Sequence, residues 1–316
     1  MSRWMKGLII LFSSMLYGIV IVLLFIRVRP YMMQKRFLSE KEYKNIIAYS
    51  NEEDISDSFY KVGTLLMPSE KTIKADVLME KNVEYSAASP AFSLDMNHLS
   101  SSQVIVSKNL ASKCNSDVGE VLKLHSALTD QDKEYEVVGL LPVVYGILSE
   151  DFDTRYGIVI VGYDRDLIIN NSVSSVVFGD DDFSASENHL EIKDLVRRDD
   201  QIAYCDGEII GAVIKLCMAT VVISIFSFAL CFIFGSSRLQ SRVVFGSNLQ
   251  QQYGYVLQNY TLMAIVPGML ATVGYASYAA LMNCFGLLCA LPLLCCIAST
   301  GVLSLTYLGL VRRKRR

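Results

Sequence analysis

The chain has 316 residues, 52% of them hydrophobic and 19% charged, and a formal net charge of −3. That value hides a segregation: residues 30–207 hold 31 of the 32 acidic residues and 17 of the 29 basic ones, a net of −14, while the rest of the chain carries +11. An acidic segment set between apolar, basic ones excludes a nucleic-acid footprint and points to a membrane protein with a polar domain.

Residues 7–26, GLIILFSSMLYGIVIVLLFI, carry no charge over twenty positions. At 1.5 Å per residue such a run covers about 30 Å, the depth of a bilayer's hydrocarbon core. Arg3 and Lys6 precede it, as in a signal peptide. The apolar part is long for one, however, and Arg27 and Arg29 stand where small cleavage-site residues belong, so a retained anchor is expected.

The next segment is polar and mixed. In LSEKEYKNIIAYS (38–50), Ser39 and Glu42 have capping-box spacing, and Tyr43, Ile46 and Ile47 make an apolar face, so a helix is predicted there. From 71 onward β-branched and aromatic residues rise. VIVSKNLASKCNSDVGEVLKLH (104–125) predicts a strand at 103–106, a helix capped by Ser107, a Gly-marked turn and a second strand. VLKLHSAL and EYEVVGLLP pair as a hairpin across TDQDK, and YGIVIVGY (156–163) and SVSSVVFG (172–179) add strands. The expected fold of 30–207 is α+β.

Three further apolar runs follow at 210–234, 259–281 and 285–310, giving four expected transmembrane helices with the α+β domain inserted between the first and second. The boundaries are 1–29, 30–207 and 208–316. Arg238 and Arg242 follow the second helix, and Arg312, Arg313, Lys314, Arg315 and Arg316 close the sequence. The positive-inside rule places these and both termini in the cytoplasm of a plasma-membrane, multi-pass protein, with 30–207 outside. Arg27, Arg29, Lys35 and Arg36 run against that assignment, although long domains cross largely regardless of charge. Lys215, near the start of its helix, can snorkel to the outer surface.

Site chemistry is sparse. His98, His125 and His189 are scattered, Asp95 and His98 read as surface neighbours, and Asp180, Asp181 and Asp182 lack calcium-loop order. Phosphate-loop, GxSxG and HExxH motifs do not occur, so no catalytic or metal residue is assigned. Six cysteines (Cys217, Cys231, Cys284, Cys289, Cys295, Cys296) read as small apolar packers, and Cys114 and Cys205 would pair only if the compartment is oxidising. In the third run Ala264, Gly268, Thr272, Ala276 and Ala280 form a ridge of small residues at every fourth position, suited to close helix packing, with a kink expected at Pro267. SSRLQSRVVFGSNLQQQYGYVLQNY (236–260) has a basic start, a break at Phe245, Gly246 and Ser247, and a polar amphipathic helix. Such an elbow suits docking of another protein or contact with lipid headgroups.

The arrangement resembles the FtsX-like, or MacB-type, permeases of ABC transporters, which have one helix, a large extracytoplasmic domain and three more helices. Two stretches carry the likeness. In 104–142, Ser107, Leu110, Ala111, Gly119, Val137, Val138 and Gly139 resemble the family's periplasmic-core pattern. In the elbow, Arg238, Arg242, Phe245, Gly246 and Ser247 resemble the helix that seats in the ATPase. The elbow has lost the family's acidic residue, the amphipathic helix before the first span is reduced to MSRWMK, and the last two spans meet at MNC (282–284), all features of a divergent, compact member. The resemblance implies a non-enzymatic permease with no cofactor of its own. A separate ABC ATP-binding subunit would carry ATP and magnesium, and a second permease chain, identical or not, would complete the assembly. Peptides such as antimicrobials, or lipids and lipoproteins, are the implied cargo. The same resemblance admits a regulator that transports nothing and signals to a cell-wall hydrolase or a sensor. Outside it stands a receptor or adhesin with no ATPase.

Overall fold

In a computed structural model of the chain, the residues described are 3–49, 59–66, 73–80, 92, 99–126, 131–146, 156–165, 174–179, 192–244, 248–258, 265–266, 268–270, 272–274, 277 and 291–313. Two compact units result, one formed by Met1–Arg29 with Glu208–Arg316 and the other by Pro30–Gly207.

The second unit is sheet-rich. Its strands are β1 (Asn45–Tyr49), β2 (Phe59–Leu66), β3 (Lys74–Glu80), β4 (Gln103–Ser107), β5 (Val121–Ser126), β6 (Gln131–Leu141), β7 (Tyr156–Val161), β8 (Ser174–Gly179) and β9 (Ile192–Arg197). They form one sheet in the order β3-β7-β4-β6-β5-β2-β8-β1-β9, and an added β2–β3 pairing closes the first six into a ring. β2 serves both parts. Tyr60 pairs with Met79 of β3 on one edge and Ser175 of β8 on the other, while Leu66 pairs with His125 of β5.

Period-two alternation sorts the ring's side chains into two cores. Ala75, Val77 and Met79 of β3 join Val104, Val106, Leu122, Leu124, Tyr135, Val137, Val159 and Val161 in one cluster. Leu78, Ile105, Ile158 and Ile160 point the other way, into a cluster with Ile46, Phe59, Val176 and Val196. Phe59, Phe92 and Phe178 meet edge-on there, with ring centroids 5.7–6.2 Å apart.

Helix α1 spans Arg3–Ser39, well past the apolar run, and continues through Pro30. Its last turns are held by packing: Tyr31 lies against Tyr204 at 6.4 Å, Gln34 exchanges two hydrogen bonds with the backbone of Tyr145, and Phe37 and Leu38 enter the outer cluster. The helix predicted over 38–50 does not form. Ser39 donates to the Lys35 carbonyl at 2.7 Å and so closes a helix where it was expected to open one. Asn45–Tyr49 is a strand bonded on both edges, to β8 and β9, with Ile46 and Ile47 both buried. A run buried on both faces loses its alternation and imitates a helical face.

Helix α2 (Lys108–Cys114) follows β4, and the hairpin forms with Val121 opposite Glu136 and Ser126 opposite Gln131. β4 extends one residue beyond its predicted end, whereas β7 and β8 lie just inside the runs 156–163 and 172–179. Helix α3 spans Arg198–Val244, starting twelve residues before the predicted apolar helix and ending ten after it. Asp199 and Asp200 lie in its first turn, where carboxylates favour the positive end of the helix dipole. The predicted loop after 234 is therefore helical as far as Val244. Asn248 then caps α4 (Leu249–Val256) by accepting from the Gln251 amide at 2.9 Å, and α5 spans Leu291–Arg313.

Among the described residues, two helices are long and apolar enough to cross a membrane, over Trp4–Ser39 and Arg198–Ile233; Leu294–Tyr307 is a shorter apolar helix. Many of their large side chains face outward, including Leu11, Ile19 and Ile26 of α1 and Met218, Val222 and Ile233 of α3.

One prediction concerns the ring. Tyr135 is 1% exposed and its hydroxyl finds no hydrogen-bond partner among the described residues. Burial drives its pKa well above the ordinary tyrosine value. Removing an unsatisfied buried hydroxyl removes its desolvation cost, so Tyr135→Phe is expected to raise stability by about 1 kcal/mol, read as a higher melting temperature.

Candidate functional site

The stretch 104–142 folds into one connected device. Ser107 is extended (φ −66°, ψ 137°) at the start of α2, but its hydroxyl makes no cap. It accepts instead from the Ile158 amide of β7 at 3.0 Å, so the predicted capping role is replaced by a tie between neighbouring strands. Leu110 and Ala111 are buried in the same cluster as the ring's inward side chains. Leu110 also fixes what β7 tolerates: a Cβ on Gly157 would stand 2.6 Å from the Cβ of Leu110 and 3.0 Å from the Ser107 hydroxyl.

Gly119 has φ +89°, a conformation that suits glycine and strains other residues. Its amide donates to the Val137 carbonyl at 2.7 Å, and the Val137 amide donates to Glu120 at 2.8 Å, so two distant parts of the motif lock together. Val137, Val138 and Gly139 mark a bulge inside β6, which runs on to Leu141. Val104 pairs with Val137 and Ile105 with Gly139, leaving Val138 as the extra residue. One extra residue reverses the alternation beyond it. Tyr135 and Val137 belong to the inner cluster and Val138 packs on the outer one; past the bulge Leu140 turns inward and Leu141 outward.

Of the elbow, Arg238 and Arg242 lie on the last turns of α3, and Phe245, Gly246 and Ser247 lie outside the described residues. Of the small-residue ridge, Ala264, Ala276 and Ala280 lie outside them, as does Pro267. Gly268 is packed closely, for a Cβ there would fall 2.6 Å from the Cys296 sulfur, and Thr272 donates to the Gly268 carbonyl at 2.8 Å.

Sequence reasoning missed a buried hydroxyl seam in the helical unit. Ser13 and Ser227 are 2.7 Å apart, and the Tyr17 hydroxyl lies 3.1 Å from the Thr220 carbonyl and 3.0 Å from the Ser224 hydroxyl. Ser224 is also 3.2 Å from the sulfur of Cys296. The available signal was spacing: hydroxyls at 13 and 17, and at 220, 224 and 227, recur at three- and four-residue intervals inside apolar runs. With Phe12 on Phe226 and Arg27 on Glu208, these contacts run antiparallel along α1 and α3. Those of α3 with α5 run parallel, from Ser224 with Cys296 to Phe228 and Phe232 with Tyr307.

Asp164 is buried and paired with Lys133, and His125 pairs across the hairpin with Asp132 at 2.8 Å. His98, His189, Asp95 and Asp180–Asp182 lie outside the described residues, as do Cys284 and Cys289, and no group of three metal-ligating side chains occurs among those described. Neither Cys114 nor Cys205 is in a disulfide. Two of the cations that opposed the positive-inside assignment have carboxylate partners on α3, Arg27 with Glu208 at 3.8 Å and Lys35 with Asp206 at 2.5 Å. No family model matches the sequence, and comparison with curated proteins gives no match.

Ser107→Ala is expected to destabilise the sheet-rich unit by about 1–3 kcal/mol by orphaning a buried amide. The Ile158 amide should then show faster hydrogen exchange than in the unaltered protein.

Proposed function

We propose that the chain is the permease subunit of an ABC transporter that works by mechanotransmission with a separate ATP-binding subunit, handling peptides or lipid-linked cargo outside the cell membrane. The observation that carries this reading is the chain order: one apolar helix, a separately folded sheet-rich unit, then helices that return against the first. The helix directions support four crossings. Cys296 of α5 meets Ser224 of α3, and the two helices run parallel from there. The chain leaving Val244 must therefore travel back past Ser224, about 30 Å at 1.5 Å per residue, before α5 can begin. The apolar run 259–281 has the length for that return, and Gly268 lies level with Tyr17 and Cys296.

The outward apolar faces of α1 and α3 suit a hydrocarbon surround. With both termini cytoplasmic, the acidic unit lies outside, and Arg238 and Arg242 lie at the inner end of α3, where a partner ATPase would grip them. Unit boundaries at 29/30 and 207/208 both fall inside helices, α1 and α3. The resemblance of 104–142 and 236–247 to FtsX-like permeases supplies the partner and the mode of action.

Affinity purification of the tagged full chain in mild detergent tests this. The wild type is expected to retain a nucleotide-binding subunit, and a variant with Arg238, Arg242 and Phe245 all changed to Asp is expected to lose it. A folded wild-type chain that brings down no ATPase overturns the reading.

A further inference from the structure

The helix directions gather the cations of the helical unit at one end. α1 runs antiparallel to α3 and α5 runs parallel to it, so the start of α1 and the ends of α3 and α5 lie together. A small buried cluster fixes their level: Ile9 of α1, Phe228 and Cys231 of α3, Val256 of α4 and Tyr307 of α5. Arg3 and Lys6 precede Ile9, and Arg312 and Arg313 follow Tyr307, all within about 10 Å along the helix axes. Lys314, Arg315 and Arg316 come next in the sequence. α3 runs on past this level to Val244 and carries the elbow's Arg238 and Arg242 with it.

The unit's own sequence supplies no balancing acid there. Glu208 is the only acidic residue in Met1–Arg29 and Glu208–Arg316, and it pairs with Arg27 beyond the opposite end of the first apolar run. Trp4 sets the depth at which an anionic neighbour would lie. It is 82% exposed and closes an outward stripe of Leu8, Leu11 and Met15 on one face of α1. An indole at the end of a lipid-facing stripe takes the headgroup level, its ring against acyl chains and its N–H toward water. α4, tied to the same level by Val256, also leaves Tyr253 exposed. Five of the seven cations at the two helix ends are arginines, whose planar guanidinium meets phosphate oxygens with paired hydrogen bonds.

We propose, on the membrane placement given above, that the start of α1 and the end of α5 bind the headgroups of anionic phospholipids, with Trp4 seated among them. The occupant is a lipid because the cations lie within two turns of an exposed indole that ends the outward apolar stripe, where acyl chains cover α1. The ATPase elbow is a separate element.

The test uses Trp4 itself, the single tryptophan of the chain. The full chain is placed in phosphatidylcholine nanodiscs holding a fixed minor fraction of a lipid brominated high on its acyl chain, either phosphatidylglycerol or phosphatidylcholine. Bromine quenches an indole that it touches, so the ratio of the two quenching strengths reads the preference for an anionic headgroup beside Trp4. A preference of about fivefold or more is expected from cations at headgroup level. It should fall toward one as salt is raised. With Arg3, Lys6, Arg312, Arg313, Lys314, Arg315 and Arg316 all changed to Gln, brominated phosphatidylcholine should still quench, showing α1 embedded, while the preference disappears. Equal quenching of the wild type by both lipids at low salt overturns the proposal and leaves the basic end to a protein partner. A preference that survives both high salt and the neutralised variant overturns it as well, since the cations would not be its source. Quenching by neither lipid would take Trp4 out of the bilayer and overturn the membrane placement along with the proposal.

Discussion

The sheet-rich unit depends on one strand answering to three partners. β2 bonds to β3 along one edge, and its other edge is divided between β8 near Phe59 and β5 at Leu66. The β3 and β5 contacts close the ring, whereas the β8 contact carries β1 and β9. Backbone hydrogen bonds are obligatory for buried strands, so this division fixes where the closed part ends and the open part begins. Both cores follow from it. The inner one is filled by alternate residues of the ring, and the outer one lies under β8, β1 and the end of α1.

The helical unit rests on a different balance. In the membrane setting proposed above there is little hydrophobic drive for apolar helices to associate, and close packing and hydrogen bonds take over. Gly268 allows the approach to Cys296, while Ser13, Tyr17, Ser224 and Ser227 supply the bonds between α1 and α3. No charged side chain is needed at that level. The charges that do face each other, Arg27 with Glu208 and Lys35 with Asp206, occur toward the ends of the apolar runs, where water can reach them.

Much of this was legible in the residues. Uncharged runs announce apolar helices by length alone, and turn residues with β-branched runs placed β4, β5, β7 and β8 within two residues, while β2 and β9 gave no such signal. Legibility failed where tertiary partners overruled local pattern. Ile46 and Ile47 read as a helical face because a strand buried on both sides has no polar alternation to betray it. Ser107 read as a helix cap because its sequence position is right, while its true acceptor role depends on Ile158, fifty-one residues away. Val137, Val138 and Gly139 were recognised as a unit, but only pairing shows that they reverse the face to which Leu140 and Leu141 belong. The hydroxyl seam was written in three- and four-residue spacing and escaped notice because serine and threonine are ordinary in such helices.

Those hydroxyls also bear on the order in which the helices come together. Thr220, Ser224, Ser227, Thr300 and Ser304 each donate to the carbonyl four residues earlier in their own helix. Their protons are thus settled before any neighbour arrives. The lone pairs they leave outward are acceptors waiting for a donor. Tyr17, whose hydroxyl stands too far from its own backbone for such a bond, brings that donor from α1. Helices α3 and α5 therefore settle these protons within themselves, and α1 is the one that gains a settled proton only by docking.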